Sequence, residues 1–143
     1  MISLKDDVLL PVAARVREQA SSLRSIRRFQ RCGVEGWLKV EAVCALSELV
    51  EGVRNTGPDL LLSDGTSIEL KAATDFNTTA MRNACIKYGC PCLFLADGTE
   101  PQRIYDIEDT RVYVVGYETI SDGSNEWILG LVAPRSQMHA GNG

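Results

Sequence analysis

Residues 57–73 read GPDLLLSDGTSIELKAA, and this stretch decides the fold. The apolar run Leu60-Leu61-Leu62 and the run carrying Ile68 and Leu70 flank Ser63-Asp64-Gly65-Thr66, an Asp-Gly turn signal that favours a hairpin. Antiparallel pairing across that turn brings Asp59 and Glu69 to the same end of the hairpin. Glu69 and Lys71, two apart on one strand, share a face because side chains alternate. Two carboxylates and an amine therefore converge. Three consecutive leucines suit a strand buried on both faces. A charge set beside such a strand needs a partner or a metal, because an unpaired buried charge is very costly. The bland reading is a solvated strand face, on which Asp, Glu and Lys are common.

Upstream, residues 34–50 (VEGWLKVEAVCALSELV) read as a helix. Trp37, Leu38, Val40, Ala42, Val43, Ala45, Leu46 and Leu49 wrap much of its circumference, which predicts a largely buried element. Lys39 falls opposite Trp37, whereas Glu41 and Glu48 fall on the side of Trp37 and Cys44. A Glu within an apolar patch is the kind of residue expected to reach a metal. Glu35, near the helix start, favours the helix dipole. The plain reading for either is a surface charge or a cap.

With Pro58-Asp59, Glu69-Leu70-Lys71 and a Glu-bearing helix upstream, the chain resembles the PD-(D/E)xK nuclease superfamily of restriction-endonuclease-like folds, over roughly residues 33–96. The resemblance implies an α/β single domain with an α-β-β-β-α-β core: a mixed central sheet flanked by helices, here with an added N-terminal helix. It implies Mg²⁺ or Mn²⁺ held by Asp59, Glu69 and the backbone carbonyl of Leu70, with a Glu from the first core helix. The phrase GVEGWLKVEA places that role on Glu41, with Glu35 as second choice. Lys71 is expected to orient or help deprotonate the attacking water. The implied function is a metal-dependent DNA endonuclease or other deoxyribonuclease, and the alternative is a catalytically inactive nucleic-acid-binding or assembly module on the same fold.

Length and composition agree with one domain. The chain has 143 residues, enough for a real core, and its 45% hydrophobic and 24% charged residues are ordinary for a globular protein. No apolar run approaches the roughly 18–20 residues of a membrane span. The N-terminus lacks the apolar core of a signal peptide, so a cytoplasmic location is expected. The net charge of −4 does not advertise a nucleic-acid binder, but its distribution is uneven. Residues 1–40 hold eight Lys/Arg against four acids, and the remainder seven against fifteen. Arg27, Arg28 and Arg31, with Arg82 and Lys87 further on, are the candidate phosphate contacts. The same arginines read equally well as the solvated face of an amphipathic helix.

Five cysteines, an odd number, argue against a disulfide framework. Cys85, Cys90 and Cys92 cluster, and some relatives in the superfamily hold an iron–sulfur cluster through four cysteines, for which Cys32 or Cys44 is a fourth candidate. The spacing matches no standard zinc or ferredoxin pattern, so reduced, packed cysteines are expected.

In order, Ser3 is read as capping a short helix, and Pro11 as opening a longer one that runs to about Phe29 and breaks at Cys32-Gly33. Residues 1–32 form the N-terminal extension, a candidate cover for the core or dimerisation surface. Residues 33–133 form the nuclease-like core. Within it, residues 51–57 are read as a polar connection, 78–88 as a helix ended by Gly89, and 92–96 as a strand. A short helix is expected around 100–108, then strands over 111–117 and 127–132. The tail, 134–143, is expected to be disordered and carries the sole histidine, His139, so a histidine-based dyad is not expected.

Overall fold

A computed structural model describes residues 2–29, 33–54, 57–73 and 76–137, with no side-chain detail at 27–29. It is an α/β structure built on one six-stranded mixed sheet in the order β1-β2-β3-β4-β6-β5. The strands are β1 (Val50–Val53), β2 (Leu60–Leu62), β3 (Ser67–Ala73), β4 (Cys92–Asp97), β5 (Val112–Ser121) and β6 (Glu126–Pro134). The α-helices are α1 (Leu10–Glu18), α2 (Ala20–Phe29), α3 (Val34–Ala45) and α4 (Thr78–Tyr88). A π-helical segment (Leu4–Leu9) and a 3₁₀ helix (Pro101–Ile107) complete the main elements. Among the described residues, no helix is long and apolar enough to cross a membrane.

The hairpin forms as the Asp-Gly signal predicts. Leu60 pairs with Ile68 and Leu61 with Ser67, while Leu62 N–H donates to the Thr66 carbonyl at 2.8 Å. Gly65 sits at φ +92°, a backbone state that costs an L side chain strain, and Asp64 Oδ1 accepts from Thr66 N–H at 2.9 Å. The β3–α4–β4 unit is parallel, with Glu69 opposite Cys92 and Lys71 opposite Phe94. Asn77 caps α4 by accepting from Ala80 N–H, and Gly89 ends it in the left-handed conformation at φ +61°.

The period of two along the central strands divides the apolar residues between two cores. Leu93 and Leu95 of β4, Leu129 and Leu131 of β6, and Ile68 and Leu70 of β3 pack with Val12, Val16, Leu23 and Leu38 of α1–α3. Their neighbours Cys92, Phe94, Ala96, Ile128 and Val132 pack with Met81, Ala84 and Cys85 of α4 and Ile104 and Ile107 of the 3₁₀ helix. Gly130 permits close approach of Phe94: a Cβ there would collide with the Phe94 ring and lie 2.7 Å from Ile104 Cδ1.

Several expectations change. The N-terminal helix is not continuous. Ser3 caps the short segment Leu4–Leu9, which is π-helical, and Pro11 opens α1 as expected, but the helix read through to about Phe29 breaks at Gln19, whose φ of −106° and ψ of 21° leave the helical basin. Helix α3 stops at Ala45 and is not buried all round, since Val40 is 59% exposed and Cys44 is exposed. Val50, read as the end of the helix, and residues 51–53, read as connection, form edge strand β1, which pairs with β2 through a bulge between Val50 and Gly52. Its four-residue length and internal glycine gave it little strand signal. Strand β5 runs on to Ser121, its pairing with β6 surviving a register shift between Val114 and Gly116. Cys32, Arg31 and His139 lie outside the described residues, as do 138–143 of the tail, whereas β6 extends to Pro134 and a 3₁₀ turn covers Arg135–Gln137.

Candidate active site

The site forms where β2 runs out beside β3. Strand pairing between them ends at Leu60–Ile68, so β3 beyond that point has backbone donors that no strand takes up. Two carboxylates take them instead. Asp59 Oδ2 accepts from Leu70 N–H at 2.9 Å, and Glu35 Oε1 accepts from Ala72 N–H at 3.3 Å. The hairpin thus delivers Asp59, and α3 delivers Glu35, to alternate residues of one strand edge.

Asp59 is also hydrogen-bonded to the Glu69 side chain. Glu69 is only 4% exposed and alternates out of phase with Ile68 and Leu70, on the face of Cys92 and Phe94. Burial raises its pKa to about 7, helped by the hydrogen bond and charge of Asp59 and by Glu35, and opposed by Lys71. Burial also pulls Asp59 upward, but hydrogen bonds from Glu69, Leu70 N–H and Lys39 outweigh it and hold Asp59 below the usual carboxylate range. The pair therefore shares one proton near neutral pH, carried on Glu69.

Lys39 is the residue that reading the sequence missed. Its Nζ lies 3.2 Å from Asp59 Oδ1 and donates to the Arg54 carbonyl at 2.8 Å. The available signal was its position four residues after Glu35, which puts both on one helix face.

Glu41, the first choice for the helix acid, has a different partner. It is buried and accepts from Arg15 Nε of α1 at 2.5 Å, fastening the N-terminal layer to α3. Glu35 and Glu41 are six residues apart, about 240° around a helix, so they cannot both face the β3 edge. Glu35 is the acid that reaches β3 and acts on Glu69.

Among the candidate phosphate contacts, Arg82 is engaged structurally. Its Nε donates to the Ile107 carbonyl at 2.7 Å and Nη2 to the Asp106 carbonyl at 2.5 Å, tying α4 to the 3₁₀ helix. Lys87 is exposed, with Nζ 5.1 Å from the centre of the Tyr88 ring. Arg27 and Arg28 belong to α2, but their side chains lie outside what is described.

Cys85 and Cys92 pack in the α4-side core, and the Cys90 thiol lies near the Glu69 backbone N–H, which donates to the Pro91 carbonyl at 2.9 Å. Burial pushes the Cys85 thiol to about 12 and Cys90 to about 11, and raises Cys92 well above the ordinary value, so these thiols stay protonated.

Among the described residues, no three His, Cys, Asp or Glu side chains stand arranged as a metal site. Asp59 and Glu69 nonetheless suit a hard dication such as Mg²⁺, which binds through one or two carboxylates and keeps waters of its own. A proton shared between two carboxylates is also what such an ion replaces. No family model, curated protein or solved structure matches the chain.

Proposed function

We propose that the chain is a metal-dependent nuclease of the PD-(D/E)xK kind that hydrolyses phosphodiester bonds in DNA. The observation that carries this reading is the Asp59–Glu69 hydrogen bond at an open strand edge, with Glu35 on the same edge and Lys71 on the face of Glu69. Carboxylates sharing a proton at one strand edge, beside two lysines, are costly to stability and are expected where chemistry needs them. The order α3-β1-β2-β3-α4-β4, an antiparallel meander followed by a parallel crossover, supports the restriction-endonuclease-like core that the resemblance implies.

In this reading Asp59, Glu69 and the Leu70 carbonyl hold Mg²⁺ or Mn²⁺. A bound ion would supply a lowered pKa for its water and would screen charge on the scissile phosphate. Glu69 would have to be ionised to serve as a ligand. Asp59, anchored by Leu70 N–H, is already ionised and oriented. Lys71 orients the attacking water and offsets charge building on the phosphate. Glu35 fixes the backbone of Ala72 next to Lys71.

The test is cleavage of plasmid and oligonucleotide DNA with Mg²⁺ or Mn²⁺, comparing wild type with Lys71→Ala and Asp59→Ala. Activity lost in both variants and in chelator supports the proposal; full cleavage by Asp59→Ala overturns it. One observation favours the inactive-module alternative. Lys39 already neutralises Asp59, so the acids are satisfied by protein groups alone. DNA binding without cleavage, unaffected by metal, selects that alternative.

A further inference from the structure

Ser67, Glu69 and Lys71 lie on one face of β3, because alternate residues of a strand share a face. Ser67 opens into a cavity of about 530 Å³, roughly 7 Å along the strand from Glu69. Two other lining residues join it to the acids: Pro58 precedes Asp59 in the chain, and the Cys90 thiol meets the Glu69 backbone. The cavity and the carboxylate pair are therefore neighbouring compartments of one surface.

The lining chemistry is unlike that of a phosphate site. It includes no Lys or Arg among the described residues, and it contains the Asp64 carboxylate, which repels anions. It does offer the aromatic rings of Tyr88 and Tyr113, apolar surface on Pro58 and Pro91, and hydrogen-bonding groups on Ser67 and Gln137. Lys87 stands against the Tyr88 ring. Flat apolar surfaces with a few polar groups suit a planar heteroaromatic ring, and stacking on aromatic side chains is tolerant of which base is present. The volume falls within the range of small-ligand sites, and a single base fits within it.

We propose that this cavity receives an unpaired nucleobase adjoining the site formed by Asp59 and Glu69. The proposal rests on the nuclease reading and deepens it: the substrate is single-stranded DNA, or duplex DNA with an unpaired or extruded base beside the cleaved bond. A base within a continuous stack reaches such a cavity only by leaving the stack, and that costs least where it is already unpaired.

The test uses the full chain in chelator, so that binding is read without cleavage. Affinities are measured by fluorescence anisotropy for a short labelled oligothymidylate and for an oligomer of equal length made of abasic nucleotides. The expected result is about ten-fold tighter binding of the oligothymidylate. Tyr88→Ala and Tyr113→Ala are each expected to remove most of that difference while leaving the abasic oligomer unchanged. Tyr88→Leu and Tyr113→Leu replace any alanine variant that loses its folded circular dichroism. Equal affinity for the two oligomers overturns the proposal, as does a base preference that neither tyrosine pair of variants alters. Cleavage in Mg²⁺ that persists alongside equal affinities leaves the nuclease reading standing by itself. Base-dependent, tyrosine-dependent binding by a protein that cleaves nothing keeps the cavity assignment and removes the nuclease reading.

Discussion

Asp59 and Glu69 are hydrogen-bonded to each other across the end of a hairpin, and their surroundings push their pKa values apart. Glu69 is desolvated and raised to about 7, while Asp59 is held down by Glu69, Leu70 N–H and Lys39. Two like groups thereby take different protonation states, a common way of dividing labour between paired carboxylates.

That difference has a pH signature. Glu69 titrates near 4.5 when unfolded and near 7 when folded, so the folded state binds more protons between those values. Its contribution to stability is complete below about pH 4.5 and is lost as pH rises through about 7. Urea denaturation should show wild type losing on the order of 2 kcal/mol across this window. In Glu69→Gln that loss should be absent. Asp59 acts oppositely: its contribution is lost only as pH falls through its lowered pKa, in the acid range.

A divalent ion that binds both carboxylates must displace the shared proton. Calorimetric titration with Mg²⁺ or Mn²⁺ near neutral pH should give a heat that varies with the ionisation enthalpy of the buffer. Glu69→Gln should abolish the variation along with most of the binding. Binding without proton release would count against joint ligation by Asp59 and Glu69.

Lys39 competes for the same oxygen. Its Nζ contacts Asp59 Oδ1, so Lys39→Met frees that oxygen and removes a positive charge. Mn²⁺ should bind Lys39→Met more tightly than wild type. The partly exposed ion pair limits the stability loss to about 1 kcal/mol.

The two helix acids should separate cleanly. Glu41→Ala removes the Arg15 contact that ties α1 to α3 and should lower stability in denaturation while leaving any cleavage intact. Glu35→Ala should change stability little and depress cleavage. The reverse pattern would return the metal-site role to Glu41.

Gly130→Ala tests the packing behind the site. The added methyl meets the Phe94 ring and Ile104, and Phe94 lies opposite Lys71 in the β3–β4 pairing. Overpacking of this kind should lower stability by about 1–3 kcal/mol. A stability equal to wild type would show that Phe94 has room to move.

Much of this arrangement was legible in the residues themselves. Asp64-Gly65 set the turn, because Gly65 supplies a positive φ; Gly89 ended α4 through local capping; and the apolar runs at 92–96 and 127–132 marked the central strands. The convergence of Asp59 with Glu69 followed from hairpin geometry over ten residues of separation. These are local matters, settled by φ/ψ preferences and side-chain period.

Three features were decided only by tertiary structure. Edge strand β1 exists because β2 offers it a partner, its own sequence having weak strand preference. The docking of α1 against both α3 and β5 lets Arg15 reach Glu41 on α3 while Arg17 reaches Glu118 on β5. The choice of Glu35 and Lys39 over Glu41 depends on which face of α3 meets the open edge of β3. A helical sequence specifies which residues share a face, but the docking of that helix on a sheet decides where the face points. The hairpin's acids were therefore readable from sequence, and the helix's contribution to them was not.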